Sequence, residues 1–440
     1  MYKHRYSLYF PAANYVAPPM GCNITQLQRH GARYPTTTNA PSYRYAVSRL
    51  ASAKKFSDPR LEFLKYYEYG IPEEDLVPLG AEQSFEAGWE AFVRYGGLVG
   101  GEGRQECGIF VRASDSQRVV DSAGNWTKGF AAASRNTVVP VISAYLSEEV
   151  NNTLNSDCPA ALDGTREMNI WLQQFAPPIA HRLNTAAPGA KLSDEDVFSL
   201  MAMCPFESIA LSGSRKRVKG KSEFCNLFSE DEWNAFEYHG DVEKYYKTGP
   251  GNALGAIQGV GYTNELLARL IEQPVRDNTT HNASLPFPLG RAIYADFSHE
   301  NAMVAVFSAL GLYDDVSAPD PRKIGADDRV WQANRMVPFS ARMVTEILQC
   351  GGGEGRDGTY IRILVNDAVR PLAFCGEKED GLCTLDAFQL EERPWLAPDQ
   401  LNLVSNDKGM VPEGDSKCDS YNPLSDICTP DILIKAPARY

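Results

Sequence analysis

Long apolar runs are missing from this chain. No window approaches the ~18 consecutive apolar residues of a membrane-spanning helix, so no membrane partner is expected. Excess positive charge is missing too: 43 Lys and Arg stand against 56 Asp and Glu, a formal net charge of −13. That sign argues against nucleic-acid binding, which needs a basic face. It would also repel an anionic substrate at neutral pH, a repulsion that protonating carboxylates in acid reduces. Three site signatures are absent as well. No G-x-S-x-G occurs, which removes support for a serine hydrolase. No H-E-x-x-H occurs, because Met303 occupies the final position after His299-Glu300. No CxxC occurs, and the closest cysteine pairs, Cys375/Cys383 and Cys418/Cys428, are too far apart for zinc spacing.

Several features point to an oxidising compartment. The ten cysteines are an even count, and sequons stand at Asn23, Asn125, Asn151, Asn278 and Asn282. Asn278 and Asn282 share one polar segment, Asp277 to Ser284, which reads as an exposed loop. Asn23 falls in an expected strand and is discounted. The expectation is a secreted, extracellular glycoprotein. Because Met1 to Phe10 has no continuous apolar stretch, a signal would already have been removed.

The densest chemistry is in Arg29-His30-Gly31-Ala32-Arg33-Tyr34-Pro35, a histidine between two arginines beside a glycine. Arginine forks bind phosphate oxygens bidentately and stay charged at any working pH. An unprotonated imidazole among them can attack the phosphorus they hold.

At 440 residues the chain can form two or three domain-sized units. Met1 to Pro19 reads as an arm laid over the surface. Cys22 to Gln28 is β-compatible, which places His30 just past a strand's carboxyl end, where ligands bind in open α/β sheets. A strand at Cys107 to Ala113 delivers Arg112 to its own end, and a helix from Ser116 to about Ala133 follows. Glu82 to Tyr95 has helical period. Ser193 and Ser229 each open a helix with a capping box, and Leu254 to Ile271 is a further helix. Then come a strand at Arg291 to Phe297, a helix at Ala302 to Leu312, a helix at Ser340 to Gln349 and a strand at Tyr360 to Asn366. Residues 155–285 therefore read as an α-helical cap inserted between two parts of an α/β domain, 1–154 and 286–440.

Only six histidines are present. His4 lies in the arm, His281 between sequons, and His181 and His239 in helical text. His299 differs, because Ser298-His299-Glu300-Asn301 follows a strand and opens a helix. A histidine and a carboxylate there suit anion binding and proton transfer.

With these residues the chain resembles the histidine acid phosphatases, and among them the fungal phytases. The resemblance runs nearly its full length through RHGARYPT, FVRASDSQRVVDSAGNW, MCPF, GPGNALGAIQGVGYTNELLARL, YADFSHEN, VPFSARM and ILVND. It implies a phosphoglycerate-mutase-like α/β domain with an α-helical cap, the site lying between them. His30 would be the nucleophile that becomes phosphohistidine. Arg29, Arg33, Arg112 and His299 would hold the phosphate. Glu300 would protonate the leaving alcohol and later assist water. Asn301 and Lys244, the latter matching a lysine-bearing segment of the family, would contact substrate. No metal or other cofactor is implied, and the partner is a small molecule, an inositol phosphate, taken by a monomer. One departure stands out: the family usually has aspartate where this chain has Glu300. The added methylene changes the proton donor's path to the leaving oxygen.

The resemblance also suggests the pairs Cys22–Cys350, Cys204–Cys225 and Cys375–Cys383; Cys107, Cys158, Cys418 and Cys428 remain, with Cys158–Cys418 and Cys107–Cys428 the favoured arrangement. The expected activity is stepwise hydrolysis of myo-inositol hexakisphosphate. A broad histidine acid phosphatase and an inactive binding glycoprotein of the same fold are the alternatives.

Overall fold

A computed structural model describes residues 6–17, 21–99, 108–156, 158–213, 220–275, 279–326, 329–350, 358–375 and 381–390. The strands are β1 (Gly21–Arg29), β2 (Ile109–Ser114), β3 (Ile142–Leu146), β4 (Ile293–Ser298), β5 (Arg342–Cys350), β6 (Gly358–Val365), β7 (Ala368–Val369) and β8 (Cys383–Thr384). The principal helices are α1 (Ala40–Ala51), α2 (Pro78–Tyr95), α3 (Gln117–Ala133), α4 (Thr165–Ala186), α5 (Asp194–Leu211), α6 (Glu230–Lys247), α7 (Ile257–Ile271) and α8 (Glu300–Leu310). The sheet order is β3-β2-β4-β1-β5-β6-β7, with β8 also on β6. Strands β3, β2, β4 and β1 run parallel, and β5 to β8 add antiparallel.

Side-chain alternation assigns the two faces of this sheet. Ile24, Val111, Ala113, Ala295, Phe297 and Val344 pack with Ala87, Trp126 and Phe130 of α2 and α3. Leu27, Phe110, Tyr294 and Met343 point the other way, against Leu266 of α7 and Phe307 of α8. A three-layer α/β/α unit results, as expected for strands alternating with helices.

Residues 340–349, expected as a helix, instead form most of β5. This strand lies inside the sheet between β1 and β6, so Met343, Val344, Ile347 and Leu348 are all buried and no alternation survives to read. Its carboxylate has a cross-strand partner: Glu346 stands opposite Arg362, whose Nε donates to it at 2.7 Å.

A separate helical core joins α4, α5 and α6 through Trp171, Phe175, Met201, Phe206 and Phe236. Both expected capping boxes close, Ser193 with Asp196 and Ser229 with Glu232. The packing departs from the 155–285 boundary at two helices. α1 contributes Tyr43, Val47 and Leu50 to the helical core, and Arg49 ties it to Asp196 of α5 at 2.8 Å. Conversely, α7 packs on the sheet. Both helices carry apolar faces that a sequence shows without naming their partners.

Of the expected arm, residues 6–17 are described, and Tyr6 packs against Phe206 in the helical core. Tyr9 donates to Asp367 at 3.1 Å and Tyr15 to Glu346 at 3.3 Å. Cys204–Cys225 and Cys375–Cys383 are bonded, and Cys158 is in a disulfide. The pairings expected for Cys22–Cys350, Cys107–Cys428 and Cys158–Cys418 lie outside the described side chains, as does Asn278. Among the described residues no helix is long and apolar enough to cross a membrane.

Candidate active site

Adjacent parallel strands deliver the two histidines. Arg29 stands opposite Ser298 in the β1/β4 register, so His30 and His299 both leave at carboxyl ends of the sheet. Backbone bonds hold His30 there: its N–H donates to the Ser298 oxygen at 3.1 Å, and its oxygen accepts from Ser340 at 3.0 Å. The imidazole centroids lie 5.6 Å apart, edge to face. Gly31 is required next to them, because a Cβ would sit 2.3 Å from the Gly80 oxygen in α2.

The His30 ring is 1% exposed, and its Nδ1 lies 2.8 Å from the Gly31 carbonyl oxygen. A carbonyl can only accept, so Nδ1 carries the proton and Nε2 keeps its lone pair. Burial above all, then the charges of Arg29, Arg33 and His299, lower its pKa well below the ordinary 6.5. A lowered pKa keeps the ring neutral into acid, so a step needing neutral His30 persists below pH 6.5 and fades only as pH falls through the depressed value. In a profile of kcat/KM against pH, the acid limb is expected clearly below 6.5; half-loss at that value would contradict a neutral His30 as the working form.

Over His30 opens a cleft of about 270 Å³, lined by His30, Arg33, Arg118, Glu148, Leu154, Asn155, Ser156, His299, Glu300, Asn301 and Ala302. The last three residues form the first turn of α8, whose amides favour an anion. Arg29 is fully buried beside them. Its Nη1 donates to the Val337 oxygen at 2.6 Å, its guanidinium stacks 4.5 Å from the Phe339 centroid, and its Nε lies 3.0 Å from Glu300 Oε2. Lys244 does not line the cleft itself. Buried on α6, it donates to Asn301 Oδ1 at 2.5 Å and lies 3.6 Å from Glu300 Oε1. Burial alone would raise the Glu300 pKa, but Arg29 and then Lys244 outweigh it and hold the group well below the carboxylate range. In the resting site Glu300 is an anion.

Arg112 is not brought to the cleft. It stands opposite Asp296 on β4, on the sheet face covered by α7. There its Nε donates to Asp296 Oδ1 at 2.7 Å and its Nη2 to Glu265 Oε2 at 2.5 Å. Arg269 also binds Asp296, at 2.6 Å, and Tyr262 donates to it at 2.8 Å. The strand ends at Ser114, so Arg112 is an interior strand residue pointing into a buried ion cluster.

Arg118, six residues later in the same signature, lines the cleft instead. It sits in the first turn of α3, past the carboxyl end of β2, with Nη1 2.9 Å from Glu74. Burial first, and then the charge of Arg33, bring its pKa below the usual arginine value. Glu148 is the second residue not foreseen. It follows β3 and accepts from His299 Nε2 at 2.8 Å and from Ser114 Oγ at 2.7 Å. The first had a signal, a second arginine at a helix start. An acidic pair after a short strand had none.

Arg29, Arg33 and Arg118, gathered with His30, His299 and the carboxylates Glu148 and Glu300, make an arrangement suited to phosphoryl transfer. The model of the histidine phosphatase superfamily (branch 2) matches residues 24–366. The chain belongs to that superfamily. Phytase A of Arthroderma benhamiae is 37% identical over 408 residues, covering 87% of each chain. Phytase A of Aspergillus fumigatus is 37% identical over 393 residues, 84% of this chain and 82% of its own. Among solved structures, the phytase from D. castellii matches with a TM-score of 0.69 at 20% identity, over 88% of this chain and 82% of its own. The fold is thus that of a histidine phosphatase.

Proposed function

We propose that this chain is a secreted phytase that hydrolyses the phosphomonoesters of myo-inositol hexakisphosphate stepwise, through a phosphohistidine on His30. One observation carries the reading: Nδ1 of His30 is committed to a carbonyl, which leaves Nε2 as a lone pair in a cleft lined by Arg33, Arg118 and His299. The Phytase A relatives support the substrate. The even cysteine count and the sequons support secretion.

Arg29, Arg33 and Arg118, with His299, hold the phosphoryl oxygens and offset their charge as it develops. Arg118 takes the role first expected of Arg112. Nε2 attacks phosphorus, and the phosphorus–nitrogen bond forms as the ester oxygen leaves with a proton from Glu300. Water then attacks phosphorus while Glu300 accepts its proton, and His30 leaves neutral. Glu300 must therefore be protonated before the first step. A phosphate dianion beside Arg29 offsets the charge that keeps Glu300 ionised and raises its pKa; acid supplies the proton.

Glu300→Gln keeps the size of the side chain and removes the proton. It should lower kcat on phytate by about 10²- to 10⁴-fold, and far less on p-nitrophenyl phosphate, whose leaving group needs little protonation. Equal losses on both esters would remove Glu300 as the acid. The direct test of the reading is phosphate release by the wild type from both esters in mildly acidic buffer. Preference for phytate supports it, and strong preference for the aryl ester favours a broad acid phosphatase.

A further inference from the structure

We propose that Glu148 is a positioning residue for His299, holding that ring in the cleft as an oriented double donor throughout turnover. The inference rests on the reading of the cleft as a phosphoryl-transfer site.

Geometry carries it. His299 is the residue before α8, yet its side chain does not cap that helix. Its Nε2 lies 2.8 Å from Glu148 Oε1. Glu148 is itself built in: its Oε1 also accepts from Ser114 Oγ at 2.7 Å, and its backbone N–H donates to Asp115 Oδ1 at 3.0 Å. Ser114 ends β2 and Asp115 follows it, so the carboxylate is anchored to the sheet. The side chains of His299 and Glu148 are 20% and 42% exposed, placing both on the cleft wall.

The chemistry follows from donor counting. A carboxylate facing Nε2 accepts the proton there. A neutral ring would then have a bare lone pair at Nδ1, which repels a phosphate oxygen. Only the imidazolium donates from both nitrogens. By bonding the proton on one nitrogen, Glu148 favours the form that can bind phosphate with the other. Glu148 suits this role because it stays an anion in acid: its pKa is lowered to about 2, chiefly by the hydrogen bond to His299. The other titratable or charged groups around His299 are neutral His30 after β1, Arg33 in the following loop, Arg118 on α3 and Glu300 on α8. Arg33 and Arg118 oppose the imidazolium, and Glu300 favours it but is committed to Arg29 and Lys244. Glu148 is the anion in direct contact.

The test is Glu148→Gln, which keeps an acceptor and the side-chain size, beside Glu148→Asp. Replacing the carboxylate by a neutral amide should weaken the hydrogen bond to Nε2 and move the His299 side-chain resonances. The imidazole resonances of the protein labelled with ¹⁵N-histidine report this without any substrate. In Glu148→Gln kcat/KM should fall about tenfold, with KM rising more than kcat. The melting temperature should hold, and Glu148→Asp should recover part of the effect. An unmoved His299 resonance in a folded Glu148→Gln protein overturns the proposal. So does a rise in kcat/KM, which would mean that Glu148 competes with phosphate for the ring. If the resonance shifts but the wild type releases phosphate from neither ester, the positioning role stands and the phytase reading falls.

Discussion

His30→Ala should lose phosphate release by on the order of 10⁵-fold or more, with phytate and with p-nitrophenyl phosphate alike. The loss is expected in kcat. The substitution removes the attacking nitrogen and leaves Arg33, Arg118 and His299 lining the cleft to bind the ester. The variant should still fold, because the ring is buried neutral and its side-chain hydrogen bond among the described residues is to the adjacent Gly31 oxygen. Phosphate release assays beside thermal melts decide this. Substantial residual turnover in a folded variant would remove His30 as nucleophile.

Arg118→Ala and Arg112→Ala should fail in opposite ways. Arg118 lines the cleft, and removing one positively charged donor from a developing anion costs about 10²- to 10³-fold in kcat, with the melting temperature kept. Arg112 is 2% exposed and bridges Asp296 and Glu265. Its removal leaves Glu265 with only Thr153 and His281 among the contacts described, and breaking a buried pair costs about 3–5 kcal/mol. Arg112→Ala should thus unfold at lower denaturant, and any folded fraction should retain most of its turnover. If instead Arg112→Ala is stable and inactive while Arg118→Ala is active, the two roles are exchanged.

That exchange shows what a sequence holds and what it withholds. That His30, Arg33, His299 and Glu300 share one cleft was legible because each sits in or immediately after a segment whose type is readable locally, and the loops at strand ends point one way. Arg112 was misread because strand side chains alternate between two faces, and nothing local says which face meets the cleft. Its register partner Asp296 decides that, 184 residues away. β5 was misread for a related reason, since a strand covered on both faces loses the period that identifies it. Lys244 was expected to contact substrate, and the fold instead sets its Nζ against Asn301 and Glu300. Glu148 needs the β2–β3 pairing before it meets His299 at all.

The central claim is that phosphorus is transferred to His30. Wild-type enzyme mixed with phytate and quenched in alkali within the first turnover should carry one phosphoryl group, mapped by mass spectrometry to the peptide containing His30 and absent from His30→Ala. A phosphoryl group on any other residue, or turnover without one on a timescale that would trap it, contradicts the account.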